Sequence, residues 1–253
     1  MKHILYIVSF LLSFGIYAQD NNSLFKQGNT LYNEGKYAEA IDKYSAILET
    51  KNHSEALYFN LANAHYKLNN IAPSIYYYEK ALQLSPNDKD IKNNIAFAKN
   101  MTIDAIDVIP DAGFSKLIKS ITNKFSFDAW AKATIVFVFC FVALFLMYYS
   151  AYSTTKKRLA FIGSLLSLFL LVVALSFAFN KYSLDKKDNP AIIFAQESKV
   201  KSEPNLRSEE SFRLHEGTKV QVLESVNNWN KIKLSDGKTG WVSSEDVKLL
   251  NAL

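Results

Sequence analysis

The residues of this chain that could do chemistry are few and scattered. Its four histidines, His3, His53, His65 and His215, never fall at the spacing of a metal-binding pair, and HExxH is absent. The single cysteine, Cys140, lies inside an apolar run, where it serves as a small hydrophobe. One cysteine excludes a disulfide within the chain, CxxC redox chemistry and multi-cysteine zinc sites. Neither GxxxxGK[ST] nor GxGxxG occurs, only eight glycines are available for phosphate loops, and no serine sits in a GxSxG elbow. These patterns predict no enzyme, no metal and no cofactor. A cell-wall hydrolase would need an acid or Cys/His constellation that the sequence does not offer.

Function must then come from binding, and the elements that would position a binding surface are marked by hydropathy. Three segments, 4–18, 133–151 and 159–179, carry almost no charge, while Lys, Asn, Asp and Ser crowd the rest. Residues 1–18 read as an export signal, with Lys2, an apolar core from Ile4 to Ile16, and Ala18 before Gln19. Ile16 departs from the small-residue cleavage pattern, so an uncleaved anchor stays open. The other two segments are about 20 residues each, the length that spans a ~30 Å hydrocarbon core. The loop between them, 152–158, holds Lys156, Lys157 and Arg158, so the pair reads as a hairpin with a cytoplasmic tip; Lys124, Lys132 and Lys181 on the opposite flanks dilute this charge argument, and the export signal independently sends the N-terminal part outward. The flanking soluble parts would then lie in the periplasm, with the spans in the inner membrane. The lipid bilayer is the first expected partner. The net charge of +5 lies on no long basic block, which argues against nucleic acid.

Between residues 21 and 88 the chain repeats itself at an offset of 34: Gly28-Asn29 matches Ala62-Asn63, Ala40 matches Ser74, Tyr44 matches Tyr78, and Asn52 matches Pro86. Units at about 21–54 and 55–88 resemble the tetratricopeptide repeat, which implies helix-turn-helix units whose small residues permit close helix approach and whose tyrosines fill the space between. Two units cannot bury their own faces. A third helix over 88–101, with Ile91, Ile95 and Ala98 at helical spacing and Asp90 in its first turn, supplies a cap. Pro73 falls in the first turn of a helix, where a missing N–H costs little.

The resemblance implies an extended peptide or protein tail bound on the concave face, along the first helix of each unit. Asn29, Asn60, Asn63 and Asn94 fall there, and a carboxamide can donate to and accept from a peptide unit whatever its side chains. Lys26 and Lys67 add attraction for an acidic segment. The expected peptide-binding residues are Asn29, Asn60, Asn63, Lys67 and Asn94; a plain solvated face would look similar. Asn29 and Asn60 match the carboxylate-clamping members, but Phe25 and Asp90 stand where those keep basic residues, against a C-terminal-carboxylate clamp.

After Lys181 the period changes to two: Ile192 and Phe194, Val220 and Val222, Ile232 and Leu234, then Trp241-Val242 and Val247, with turns at Glu216-Gly217, Asp236-Gly237 and Gly240. EGTKVQVLES and WNKIKLSDGKTGWVSSEDV resemble the bacterial SH3-like domain, over about 190–250. That implies a small barrel in which Trp229 and Trp241 are structural. It also implies a possible cell-wall peptide ligand, with a purely structural or dimerising barrel equally open. Phe114, Leu117, Ile118 and Ile121 share one face of a short interfacial helix within a linker, and Trp130 sits at the edge of the first span.

The expected fold is therefore multi-domain: an all-α tetratricopeptide repeat, a two-helix transmembrane hairpin and a small all-β SH3-like barrel. The segments are signal 1–18, repeats with cap 19–101, linker 102–132, spans 133–151 and 159–179 around the loop 152–158, and linker with barrel 180–253. This order resembles the BatE-like proteins of the Bacteroides aerotolerance operon. By that resemblance the partners would be other Bat membrane proteins, including von Willebrand A-type ones, and the process aerotolerance or envelope stress. The alternative is an envelope sensor that binds peptidoglycan or peptide through the SH3-like domain.

Overall fold

A computed structural model describes residues 21–107, 109 and 113–251. The expected export signal lies outside them. The chain forms two units, one running up to Asp107 and resuming at Pro190, the other made of the segment between.

Among the described residues of the first unit, five helices form two antiparallel pairs and a cap: α1 (Asn21–Asn33), α2 (Tyr37–Glu49), α3 (Glu55–Lys67), α4 (Ile71–Leu84) and α5 (Lys89–Lys99). Ser54 caps α3 by accepting from the Leu57 amide, and Asp88 caps α5 by accepting from that of Ile91. The 34-residue correspondence has a steric basis. Gly28 faces the Tyr44 ring so closely that an added Cβ would fall inside it. Ala62 is fully buried in the second repeat, and the buried Ser74 hydroxyl donates to its carbonyl at 3.0 Å. On α5, Ile91, Ile95 and Ala98 are buried as a cap requires.

Seven antiparallel strands complete this unit: β1 (Pro190–Ile193), β2 (Glu197–Lys201), β3 (Glu210–His215), β4 (Lys219–Val226), β5 (Trp229–Lys233), β6 (Thr239–Ser243) and β7 (Val247–Leu249). Their order is β3-β2-β6-β5-β4-β1-β7. Alternate residues Val220, Val222, Ile232, Leu234 and Val242 fill the interior with Val200 and Leu214. Gly240 was expected to mark a turn; it lies inside β6. A side chain there would strike Val200, so the glycine lets β2 approach. Trp241 is buried, and Trp229 is half-buried at the start of β5.

The barrel and the repeats share one core. Ile192 and Leu250 pack in the same apolar cluster as Tyr58, Ala62, Ile75, Tyr76 and Ile95. Phe194 meets Tyr76 edge-on with centroids 5.7 Å apart, and the Tyr76 hydroxyl donates to the Leu249 carbonyl at 3.3 Å. Gly217, at φ 86°, brings the β3–β4 turn onto α4; a Cβ there would come within 2.9 Å of Ile71, Ile75 and Thr102 side-chain carbons. Charges pin the seam at two points. Glu79, almost wholly buried on α4, accepts from Lys99 of α5 at 2.9 Å and from Lys219 of β4 at 2.7 Å. Asp104 accepts from the His215 amide and ring Nδ1, both at 2.7 Å, and from the Thr218 hydroxyl at 2.6 Å. The barrel thus covers the outer face of the second repeat, a role that the sequence left to α5 alone.

His65 adds a pH dependence to this unit. Its ring stacks on Tyr77, and with Asn70 Nδ2 donating to its Nδ1 at 3.2 Å it is neutral. Burial first, then the Lys248 charge, push it down to about 4. An unfolded histidine titrates near 6.5, so the unfolded chain binds the proton first and stability falls as pH drops from there toward 4. The expected loss is about 1–2 kcal/mol by about pH 5, partial exposure screening the remainder. Urea midpoints at neutral pH and at about pH 5 should converge in His65→Phe.

The second unit contains α6 (Gly113–Thr122), α7 (Phe127–Ser150) and α8 (Thr154–Lys187). The latter two are long and apolar enough to cross a membrane. They pack along a stripe of small residues on α8, Ala160, Ser164, Ser167, Ala174 and Ala178, all buried, which lets the backbones approach. The Ser167 hydroxyl donates across to the Phe137 carbonyl at 2.9 Å. Outward faces are apolar: Phe139, Leu165 and Phe169 are exposed, and Cys140 lies exposed among them. Both helices exceed the predicted spans, because polar turns remain helical beyond the apolar stretch, as in the Lys181–Asp185 ion pair at 2.7 Å.

Candidate peptide-binding groove

The first helices of the two repeats and the cap, α1, α3 and α5, line a groove of about 320 Å³. Its walls are aromatic, Tyr32, Phe59, Tyr66 and Phe97, and its floor holds Asn63, Asn94 and Tyr78, with Lys67 at the rim. Such a surface can stack on side chains of a bound segment while its polar floor meets the backbone.

The asparagines are organised as two equivalent bridges, one per repeat. Asn29 Oδ1 accepts from the Tyr44 hydroxyl at 2.8 Å and from Asn60 Nδ2 at 2.9 Å. Thirty-four residues on, Asn63 Oδ1 accepts from the Tyr78 hydroxyl at 2.5 Å and from Asn94 Nδ2 at 3.1 Å. Each bridge ties the first helix of one unit to its own second helix and to the first helix of the next. Burial raises Tyr44 to about 12, with the Asn60 amide acting against it, and raises Tyr78 further, so both hydroxyls stay protonated donors.

These bonds change what the asparagines can offer a ligand. One end of each carboxamide is spent on the scaffold. Asn63 Nδ2 and Asn94 Oδ1 have no partner among the described residues, leaving one donor and one acceptor on the groove floor. Of the five expected residues, Asn63, Lys67 and Asn94 are brought together in the groove, while Asn29 and Asn60 form the bridge one repeat earlier. Lys26 lies apart, in a cleft between α1 and α2 with Thr30, Glu39 and Lys43. The aromatic walls were missed. Phe59 and Phe97 stand four residues before Asn63 and three after Asn94, the helical spacing that would have placed them on the same face. Among the described residues no group of three or more His, Cys, Asp or Glu side chains is placed to hold a metal.

Comparison with known families agrees with these folds. The bacterial SH3 domain family matches residues 198–248, and tetratricopeptide repeat families match residues 22–50 and 55–88. Both are typically non-catalytic interaction modules, and together they support binding of proteins or peptides in general. No curated protein matches the chain.

Proposed function

We propose that this protein is a membrane-anchored, non-enzymatic scaffold that holds an extended segment of another envelope protein in the α1–α3–α5 groove, using Asn63, Lys67 and Asn94, with Asn29 and Asn60 setting the pitch of the repeats. The observation that carries this reading is the juxtaposition of aromatic walls with a donor and an acceptor that have no partner among the described residues, on one concave surface. Lys67 favours a segment bearing acidic side chains. The hairpin with its basic Lys156-Lys157-Arg158 tip supports an inner-membrane location with repeats and barrel in the periplasm. The combination of modules supports a place in a Bat-type membrane complex concerned with aerotolerance or envelope stress.

A photo-crosslinking residue at Phe97 should capture a discrete membrane partner, and one at Leu223 on the barrel should not. Capture from Leu223 alone would favour the second reading, an envelope sensor that binds cell-wall peptide. That reading has one specific observation behind it: Leu223 and Val226 stand exposed on the β4–β5 hairpin, outside the seam with the repeats.

A further inference from the structure

The end of the hairpin that carries α6 is built differently from its loop end. Trp130 stacks on Phe177 of α8 with centroids 4.9 Å apart, meets Phe125 edge-on at 5.2 Å, and donates from Nε1 to the Thr122 carbonyl at 3.1 Å. Thr122, fully buried, donates in turn to Asn180 Oδ1 at 3.2 Å. The corner between α6 and α7 is therefore fixed by side chains from three helices. From Trp130 the helix rises about 28 Å to the aromatic residues Tyr148 and Tyr149, one hydrocarbon thickness. That places Trp130, and α6 with it, at the level of lipid headgroups.

At that level α6 and the turn that follows it use only part of their apolar surface on their neighbours. Ile118 and Ile121 are half-buried where α6 packs on α8, but Phe114 is 75% exposed, and Leu117 and Phe125 are each 54% exposed. Beside these three in sequence stand Lys116 and Lys124, both exposed and in no ion pair among the described residues, and no acidic residue occurs from 113 to 127, the next being Asp128 one turn before Lys132. An apolar wedge flanked by unneutralised cations, joined to a membrane-spanning helix, is complementary to one surface.

We infer that this corner is a binding site for anionic phospholipid: Phe114, Leu117 and Phe125 enter the headgroup–acyl boundary while Lys116 and Lys124 hold phosphate-bearing headgroups. This rests on the reading of α7 and α8 as membrane-spanning. Lipid composition thereby sets how firmly α6 is docked on the bilayer. The test is spin labelling of the full chain carrying Cys140→Ser and a single Leu117→Cys, in vesicles of phosphatidylcholine alone and of phosphatidylcholine mixed with phosphatidylglycerol. A second label at Phe139→Cys reports insertion of the hairpin.

The label at 117 should be relaxed by oxygen over a water-soluble nickel complex in the mixed vesicles, and less so in phosphatidylcholine. Lys116→Gln and Lys124→Gln should each lower the docked-to-undocked ratio about fivefold in the mixed vesicles. A label at 117 that is water-exposed in both vesicles, or shielded from both relaxants by protein, overturns the site. Equal docking in the two vesicles overturns its anionic character. If the label at 139 is itself water-exposed, the membrane-spanning reading fails instead.

Discussion

Tyr78→Ala should lower the stability of the repeat–barrel unit by about 4 kcal/mol and abolish groove binding. The ring is 1% exposed, so its removal leaves a cavity among side chains that cannot fully collapse. Its hydroxyl anchors Asn63, which in turn holds Asn94, so the groove floor loses its geometry together with its packing. Tyr78→Phe separates the two effects. It keeps the ring and the Asn63–Asn94 bond, and should cost only about 1 kcal/mol, while freeing Asn63 to rotate and so weakening peptide binding. Urea titration followed by hydrogen exchange across α3–α5 measures the first, and titration with a captured partner segment the second. Equal stability of Tyr78→Ala and the parent would contradict the packing described.

Glu79→Lys should cost about 3–5 kcal/mol and release the barrel from α4. The carboxylate is 9% exposed and satisfies two ammonium groups that arrive from different layers, Lys99 from the cap and Lys219 from β4. Reversal puts a third cation in a dry site with no counter-charge. Glu79→Ala should be milder, because both lysines are nearly half exposed and can turn to water. Acid acts in the same direction. Burial raises the Glu79 carboxyl, but the two lysines outweigh it and hold the group below its usual value. Asp104 follows the same pattern, burial being overcome by hydrogen bonds from His215 and Thr218. A depressed carboxyl contributes stability above its unfolded value of about 4 that is lost as pH falls through the folded one. The two carboxyls should lose this contribution in acid, below the range in which His65 acts. Limited proteolysis that cuts between α5 and the hairpin in Glu79→Lys, and not in the parent, would report the release.

The repeats were legible because a 34-residue offset forces the same small and aromatic residues to recur, and the spans because length and hydropathy alone define them. Strands β4 and β5 were legible from the alternation of Val220 with Val222 and of Ile232 with Leu234, and β6 from Trp241-Val242. β2 and β3 were not picked out, since ESKVK and ESFRLH each carry one buried apolar residue, Val200 and Leu214, among charged and polar ones. The docking of the barrel on the repeats was missed for a physical reason: contacts between elements over 100 residues apart leave no periodicity. Two features still carried a trace. Tyr76, Tyr77 and Tyr78 point in three directions around α4, more apolar surface than one repeat interface can cover, and Gly217 was read only as a turn when it also admits close approach. The asparagines were found by type and position, but sequence could not tell which end of each carboxamide the scaffold consumes.

The central claim, that the groove holds a partner, is tested most directly by affinity purification of the intact protein from its own membranes beside a variant combining Lys67→Glu, Asn94→Ala and Phe97→Ala. All three residues are half-buried or exposed, so the variant should fold. A defined set of membrane partners retained by the parent and lost by the variant is the predicted result. The same set recovered with both proteins would contradict it and move the binding function to the barrel.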